Sequence, residues 1–530
     1  LEIPRGPRVF GALFALGLLL RLAWLPLWGT FDTEIWKAWA AEAASDGLAP
    51  MYGPPDARFT RPAKPALFDW GTTRFQVDYP PGTLLVAWAA GKLYQAIDPD
   101  MPNRWRFNAV VNLPPFLASV LIAGILWRSA PGVLGQRRAL LFWLNPAAIL
   151  LAPVLGYQDP VFASLGLVAL VCLGSGRYAA AAAAVAASAL VKPQGALLLP
   201  VLAFFTLRDA PPRTWGRAAA AGLGVVVLIL APWWTAGYSL SALDGCLRPL
   251  QQNTLSPLGL NLWWIAGWVV EAKRSGLSAL APILNVDAFH AATGWDARTA
   301  SRVLLLVATL VNLWILSGWR RSGAAGFALG VFLEVHAYCC FGTSVHENHT
   351  LLALVVAPLL VGVLPEANAL LAGTSFFLFA GLFFAAGFGR RVTPLRQLKD
   401  LRALTVPDLS VLVAAAYVAF VLAVFIGLAR ARSRGGIGGG GVGLADLDGL
   451  GRVAGEAGTV DEDRAPVARD EPRGRPAGVA QALGEGPVGL PLEAQVRRRE
   501  GGRSSGRLRS RRSRTSAPLR RAPESSSWRP

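Results

Sequence analysis

Long apolar runs recur along the first 430 residues, separated by short polar or proline-containing breaks. A helix that crosses a bilayer needs about 20 predominantly apolar residues. Runs of that kind fall at 9–28, 109–127, 139–155, 161–174, 179–191, 195–207, 218–236, 303–319, 323–341, 350–364, 368–388 and 409–429. The pattern predicts an all-α polytopic membrane protein of about twelve transmembrane helices. Runs 161–174, 179–191 and 195–207 are short, which suits tilted or bundle-embedded helices. A further apolar run at 83–97 is short and contains Lys92, and reads as a helix lying in the membrane interface. The run Val9–Trp28 follows Arg5 and Arg8, is long enough to span and shows no small-residue cleavage site, so a first transmembrane helix is expected rather than a signal peptide.

Charge sets the expected sidedness. With Arg5 and Arg8 inside, the positive-inside rule also places Arg128, Arg137 and Arg138, then Arg177, then Arg208, Arg213 and Arg217, then Arg320 and Arg321, and finally Arg430, Arg432 and Arg434 inside. Segment 29–108 becomes a long first external loop. Segment 390–408 comes out external although it carries Arg390 and Arg391; either the count changes there or those bases serve the outside. On this parity four polar clusters share the external face: Asp32/Glu34, Asp78, Gln158/Asp159 and His346/Glu347/Asn348/His349.

Composition narrows the classes. Hydrophobic residues make up 53% and charged residues 16% of the 530-residue chain, against roughly 25% charged in soluble domains. A secreted disulfide scaffold, a fibrous protein and an ordinary cytosolic enzyme are excluded. The four cysteines form no CxxC pair, so neither a disulfide nor a zinc framework is indicated. Of the net charge of +18, residues 430–530 contribute 20 arginines against 12 acids. That segment is rich in Gly, Pro, Arg and Ser and reads as a disordered cytoplasmic tail, beside a membrane domain at 1–429. Arginine outnumbers lysine throughout, so the basic excess does not by itself indicate a nucleic-acid partner.

The chemistry-bearing residues stand at the breaks. Asp32 and Glu34, in Phe31-Asp32-Thr33-Glu34, follow the first span; a carboxylate there suits deprotonation of a hydroxyl, and Asp32 equally suits a helix N-cap. In Asp78-Tyr79-Pro80-Pro81 the prolines set a turn into the interfacial helix, leaving Asp78 as a cap or a site residue. Asn145-Pro146 lies inside a span and predicts a bend. Gln158-Asp159 lies between two spans, and acids at membrane depth default to functional hypotheses. Lys192 either pairs with a phosphate or with an aspartate such as Asp159, or snorkels to the head groups. His346-Glu347-Asn348-His349 is not HExxH, because its histidines are three apart and not four, so a zinc protease is a poor reading. Asn348-His349-Thr350 matches a glycosylation sequon, and Asp98-Pro99-Asp100 is either a DxD or a helix stop. There is no Walker A motif.

In order, an acid just after the first span, D-Y-P-P in a long first external loop, N-P followed by a G-[YH]-x-x turn, and a late V-H-E resemble the GT-C glycosyltransferases that use lipid-phosphate sugars. The likeness is to the dolichyl-phosphate-glucose-dependent glucosyltransferases of N-glycan assembly and their prokaryotic relatives. It runs through residues 10–365 as islands: Asp32, Asp78 to Pro81, Asn145-Pro146, Gly156 to Asp159, and Val345-His346-Glu347. Two departures stand out, Tyr157-Gln158-Asp159 where the family is His-rich, and Asn-His rather than Lys-Ser after V-H-E.

The resemblance implies a GT-C-like helical bundle in the cytoplasmic membrane that transfers a hexose, glucose or mannose, from a polyprenyl-phosphate carrier to a glycan or glycolipid acceptor on the external face, with inversion. Asp32 would be the catalytic base. Glu34, Asp78, Tyr79, Gln158, Asp159, Lys192, His346, Glu347, Arg390 and Arg391 would hold the substrates, with Lys192, His346 and the arginine pair facing the leaving phosphate. No metal and no cofactor beyond the lipid-linked donor are expected. The rival class is a polytopic transporter or lipid flippase. The absence of a repeat between the two halves, and polar groups gathered at one surface, favour the enzyme.

Overall fold

A computed structural model describes residues 7–52, 77–257, 259–275, 282–319, 324–386 and 409–434. Arg5, Arg320, Arg321, Arg390, Arg391 and the tail from residue 435 lie outside the described residues. Those described form eighteen α-helices and no strand. In chain order they are α1 (Pro7–Trp24), α2 (Phe31–Asp46), α3 (Pro81–Ile97), α4 (Trp105–Arg128), α5 (Gly132–Trp143), α6 (Pro146–Ile149), α7 (Asp159–Gly174), α8 (Tyr178–Val191) and α9 (Leu198–Asp209). There follow α10 (Pro212–Thr235), α11 (Ser239–Gln251), α12 (Leu262–Ser275), α13 (Val286–Thr293), α14 (Ala297–Ser317), α15 (Ala324–Phe341), α16 (Leu351–Leu360), α17 (Ala367–Ala386) and α18 (Leu409–Ser433).

Six of these, α4, α10, α14, α15, α17 and α18, are long and apolar enough to cross a bilayer, and the protein is an all-helical membrane-embedded protein. Burial sorts them. α15 buries 16 of its 18 residues and is the central helix. α10 buries three of its 24, leaving Leu223, Val227 and Leu228 exposed as a lipid-type face. Each predicted span except 139–155 falls mainly on one helix, but the helix at the predicted first span (α1) is not among the six and the three short ones remain short. α8 has 14 residues, which at 1.5 Å per residue is about 21 Å, less than a hydrocarbon core of about 30 Å. It is packed between α7 and α10.

The predicted span 139–155 is not one helix. α5 stops at Trp143, and Asn145 starts a new turn by accepting the N–H groups of Ala147 (3.0 Å) and Ala148 (3.4 Å) on its side-chain oxygen. Pro146, which has no N–H, takes the first helical position, where none is needed. After Ile149 the chain widens into a π-turn over Leu150–Val154 that contains Pro153, closed by Leu155 N–H to Leu150 O (3.0 Å). The expected bend is therefore a full break. It strips the Trp143 carbonyl of its helical donor, and Arg21 of α1 supplies one: Nη1 donates to that oxygen at 2.6 Å, with the guanidinium stacked 3.9 Å from the Trp143 ring centroid.

Arg138, counted above among the inside-facing bases, is buried. Its Nε and Nη2 donate to Val361 O (3.2 and 2.8 Å) and its Nη1 to Ser129 O (3.1 Å), so it fastens the end of α16 to the α4–α5 turn. Glu334 and His336, both inside α15, bond their neighbours as buried polar groups must. Glu334 accepts from Thr309 (2.6 Å) and Asn312 (3.0 Å), and His336 lies 3.0 Å from both Tyr417 and Thr374.

The helix expected at 83–97 is α3. It packs one face on α2 and leaves Trp88, Leu93 and Ile97 exposed. The approach is close because Gly91 has no side chain: a Cβ there would sit 2.0 Å from the Ala40 carbonyl oxygen. Gly91→Val should therefore force α2 and α3 apart and destabilise by about 1–3 kcal/mol. Gly124→Ala, in α4 with nothing within 4 Å, should be neutral or stabilising. Thermal unfolding of the two purified variants checks this; equal midpoints would refute the close contact.

Segment 237–296, which held no predicted span, contains α11 to α13. Its loop at 252–261 grips the segment after α15. Ser344 N–H donates to Leu255 O (3.3 Å), Asn261 Nδ2 to Gly342 O (3.0 Å), and Gly259 leaves room for the Val345 carbonyl, which a Cβ would meet at 2.3 Å.

Candidate functional site

Four stretches distant in sequence converge at one cleft. Its lining is Asp32, Trp36, Tyr79, Thr83, Tyr157, Gln158, Asp159, Val191 and Lys192, and it encloses about 280 Å³ of empty space, counting what opens to solvent.

Backbone geometry brings the stretches together. Gly29 (φ +64°) and Gly156 (φ +74°) both adopt the left-handed conformation that glycine tolerates. A Cβ on either would lie 2.3 Å from Thr33 Oγ1. The first turn of α2 is thereby pressed against the 155–159 turn. Thr30 N–H donates to Leu155 O (3.0 Å), and Thr33 Oγ1 donates to the same oxygen (3.4 Å). Thr30, not Asp32, is the N-cap residue of α2. Asp32 sits inside the first turn, one turn from Trp36, so both face the cleft.

Pro80 and Pro81 set the entry to α3 as expected. Pro80 is its N-cap residue, so Asp78 is not the cap. The Tyr79 ring stands edge-on to Trp36 and Trp39 (centroids 5.5 and 5.8 Å), and Tyr52 donates a hydrogen bond to its carbonyl. Thr83 donates to Val191 O, next to Lys192. Gly82 permits that approach, because a Cβ would meet Leu190 O at 2.6 Å.

Lys192 and Asp159 form the ion pair that their sequence context allowed: Nζ donates to Oδ1 at 2.8 Å, with both side chains buried. The second carboxylate oxygen of Asp159 accepts from Asn348 Nδ2 (3.1 Å). Gln158 is anchored by Nε2 donating to Val111 O (3.1 Å), which leaves its buried Oε1 unpartnered. Tyr157 donates to Glu347 Oε1, so Glu347 stands directly behind the cleft wall. His349 Nδ1 accepts the His346 N–H (3.2 Å), which puts the ring proton on Nε2. That N–H faces the Gln194 amide at 2.8 Å and finds an acceptor when the amide is turned end for end.

The electrostatics are distinctive. Burial pushes the Asp32 carboxyl up to about 6; Asp159 and Asp78 push the same way, and Lys192 opposes them. Burial also pushes Glu347 up to about 7, with Asp32 adding to the shift. His346 is pushed down toward about 4, by burial and by Lys192, a shift that its 41% exposed side chain moderates. A neutral imidazole keeps one N–H, which can still donate a hydrogen bond to a phosphate.

Glu34 departs from the expectation. It turns away from the cleft to pair with buried Lys37 (2.7 Å), which also donates to Asn103 and Asn108 (2.9 Å each), while Asn103 Nδ2 donates to the other Glu34 oxygen (3.2 Å). This is a buried structural network beneath α2. Arg390 and Arg391 lie outside the described residues. Asp98 is the C-cap residue of α3, as a helix stop at Pro99 requires. The sequon asparagine, Asn348, is 4% exposed with its amide nitrogen engaged. Among the described residues no three His, Cys, Asp or Glu side chains cluster closely enough to hold a metal ion.

Trp36 and Thr83 were not put forward as site residues from sequence, and Tyr157 and Asn348 stood there only within a turn and a polar cluster. Trp36 carried a signal, its four-residue spacing from Asp32; nothing local marks the reach of Asn348 to Asp159. Compared with known proteins, the chain matches no family model and no curated sequence.

Proposed function

We propose that the protein is an inverting GT-C-type glycosyltransferase that moves a hexose from a polyprenyl phosphate to a hydroxyl of a glycan or glycolipid acceptor. What supports this above all is Asp32: a carboxylate held near pH 6, in a cleft built from the same segments that carry the family resemblance, beside a buried ammonium. A base of that strength is largely ionised at pH 7, yet is far more basic than an ordinary aspartate.

In this reading the acceptor hydroxyl attacks the anomeric carbon while Asp32 takes its proton. The bond from that carbon to the phosphate oxygen breaks, and its electron pair leaves with the polyprenyl phosphate. Attack from the face opposite the phosphate inverts the anomeric centre. Lys192 donates to the leaving phosphate, where fixed donors are worth most. Gln158 Oε1 accepts a sugar hydroxyl, with Asp78, Tyr79 and Glu347 around it. About twelve membrane crossings, a cleft open to the external side and a cytoplasmic tail complete the proposal, on the positive-inside count.

The test is transfer by the purified full-length protein from radiolabelled polyprenyl-phosphate hexoses to a crude lipid-extract acceptor. Labelled, inverted product is expected with one donor. Movement of the intact lipid-linked sugar across a proteoliposome membrane without transfer would establish the transporter or flippase class instead.

A further inference from the structure

Lys192 has three N–H donors, and among the described residues its one hydrogen-bond acceptor is Asp159 Oδ1. The ammonium is buried, lines the cleft and keeps two donors for a ligand. Where those donors point depends on the Asp159 carboxylate, which could turn about its own Cβ–Cγ bond. The second oxygen prevents this, because Asn348 Nδ2 holds it at 3.1 Å. The amide orientation of Asn348 is fixed by the same contact, since turned round it would set its carbonyl against a carboxylate.

Asn348 is itself immobilised. It is 4% exposed and sits on the turn between α15 and α16, where its neighbour His349 bonds Gln194 and the 252–261 loop holds the preceding residues. From these contacts, and resting on the transferase reading above, we propose that Asn348 is a positioning residue: acting through Asp159, it aims the Lys192 ammonium at the leaving phosphate. The chain Asn348 to Asp159 to Lys192 joins three separate parts of the sequence and ends in the cleft.

The experiment is a double-mutant cycle on the full-length protein, read as kcat, acceptor KM and binding of polyprenyl phosphate followed by tryptophan fluorescence. Asn348→Ala should lower kcat about 10- to 100-fold, the range for a hydrogen bond to a charged group. It should weaken polyprenyl-phosphate binding and leave acceptor KM unchanged. Asn348→Leu, which keeps the branched shape with somewhat more bulk, fills the space that alanine would leave empty and should show the same loss. In an Asp159→Asn background the effect of either substitution should shrink to within about twofold. A loss of full size in that background, or no loss in the wild type, would overturn the positioning role while leaving the transferase reading intact. A wild-type protein that neither transfers sugar nor binds polyprenyl phosphate would remove the transferase reading, and this inference with it. If binding occurs without transfer, the cycle run on binding alone decides the positioning role.

Discussion

Asp32→Asn should lower sugar transfer by about 10²–10⁴-fold, the usual contribution of a general base, while making the protein more stable at neutral pH. Both effects have one cause. The Asp32 carboxyl, pushed up to about 6 by burial, is costly to ionise in the folded protein. Its folded pKa lies above the unfolded one, so folding favours the protonated form. Stability therefore falls as pH rises from about 4 to about 6, and the amide removes that loss. For activity the sign is reversed, because the base must be ionised. Wild-type kcat/KM should drop about tenfold per pH unit below pH 6 and level off above it. The titration of Glu347 near 7 adds a second step that belongs to the interacting carboxyls jointly rather than to either alone. Transfer rates from pH 4.5 to 8 and thermal unfolding at pH 5 and 7.5 check the pair of signs. A variant that loses activity and stability together at pH 7.5 would identify Asp32 as structural.

Lys192→Met is the second large effect. Removing the ammonium leaves the buried Asp159 carboxylate without its counter-charge, which costs about 3–5 kcal/mol of stability. On the transferase reading it also removes the proposed donor to the leaving phosphate, an effect of about 10²–10³-fold on kcat where such donors are fixed. The two consequences separate in the double variant Asp159→Asn/Lys192→Met, which has no buried charge to satisfy. Its unfolding midpoint should return close to that of the wild type while transfer stays low. Recovery of transfer together with stability would mean that Lys192 only holds the fold.

Much of the fold was legible, because hydrophobic runs of bilayer length report helices directly and proline positions report their ends. The D-Y-P-P turn and the helix after it follow from the fixed φ of proline and its missing N–H. The pairing of Lys192 with Asp159 was among the readings open from sequence, since neither charge is cheap alone at such a place. Other features left no mark in the hydropathy pattern. The run 139–155 is uniformly apolar across the break at Asn145, where capping, not polarity, ends one helix and starts the next. Helices α11 to α13 are too short and too amphipathic to give a span-length run. Glu34 and Asp32 looked alike from spacing, and only the location of Lys37, Asn103 and Asn108 decides which of the two faces the cleft.

The contact between Arg21 and the broken end of α5 also bears on how the chain enters the bilayer. The two residues are 122 positions apart, so α1 is made long before the carbonyl and indole that receive its guanidinium exist. A lone helix with an arginine in its last turn settles where that side chain can snorkel to the head groups. The partners that hold Arg21 are thus completed late in synthesis, and a chain truncated before Trp143 would leave its guanidinium without that carbonyl and ring.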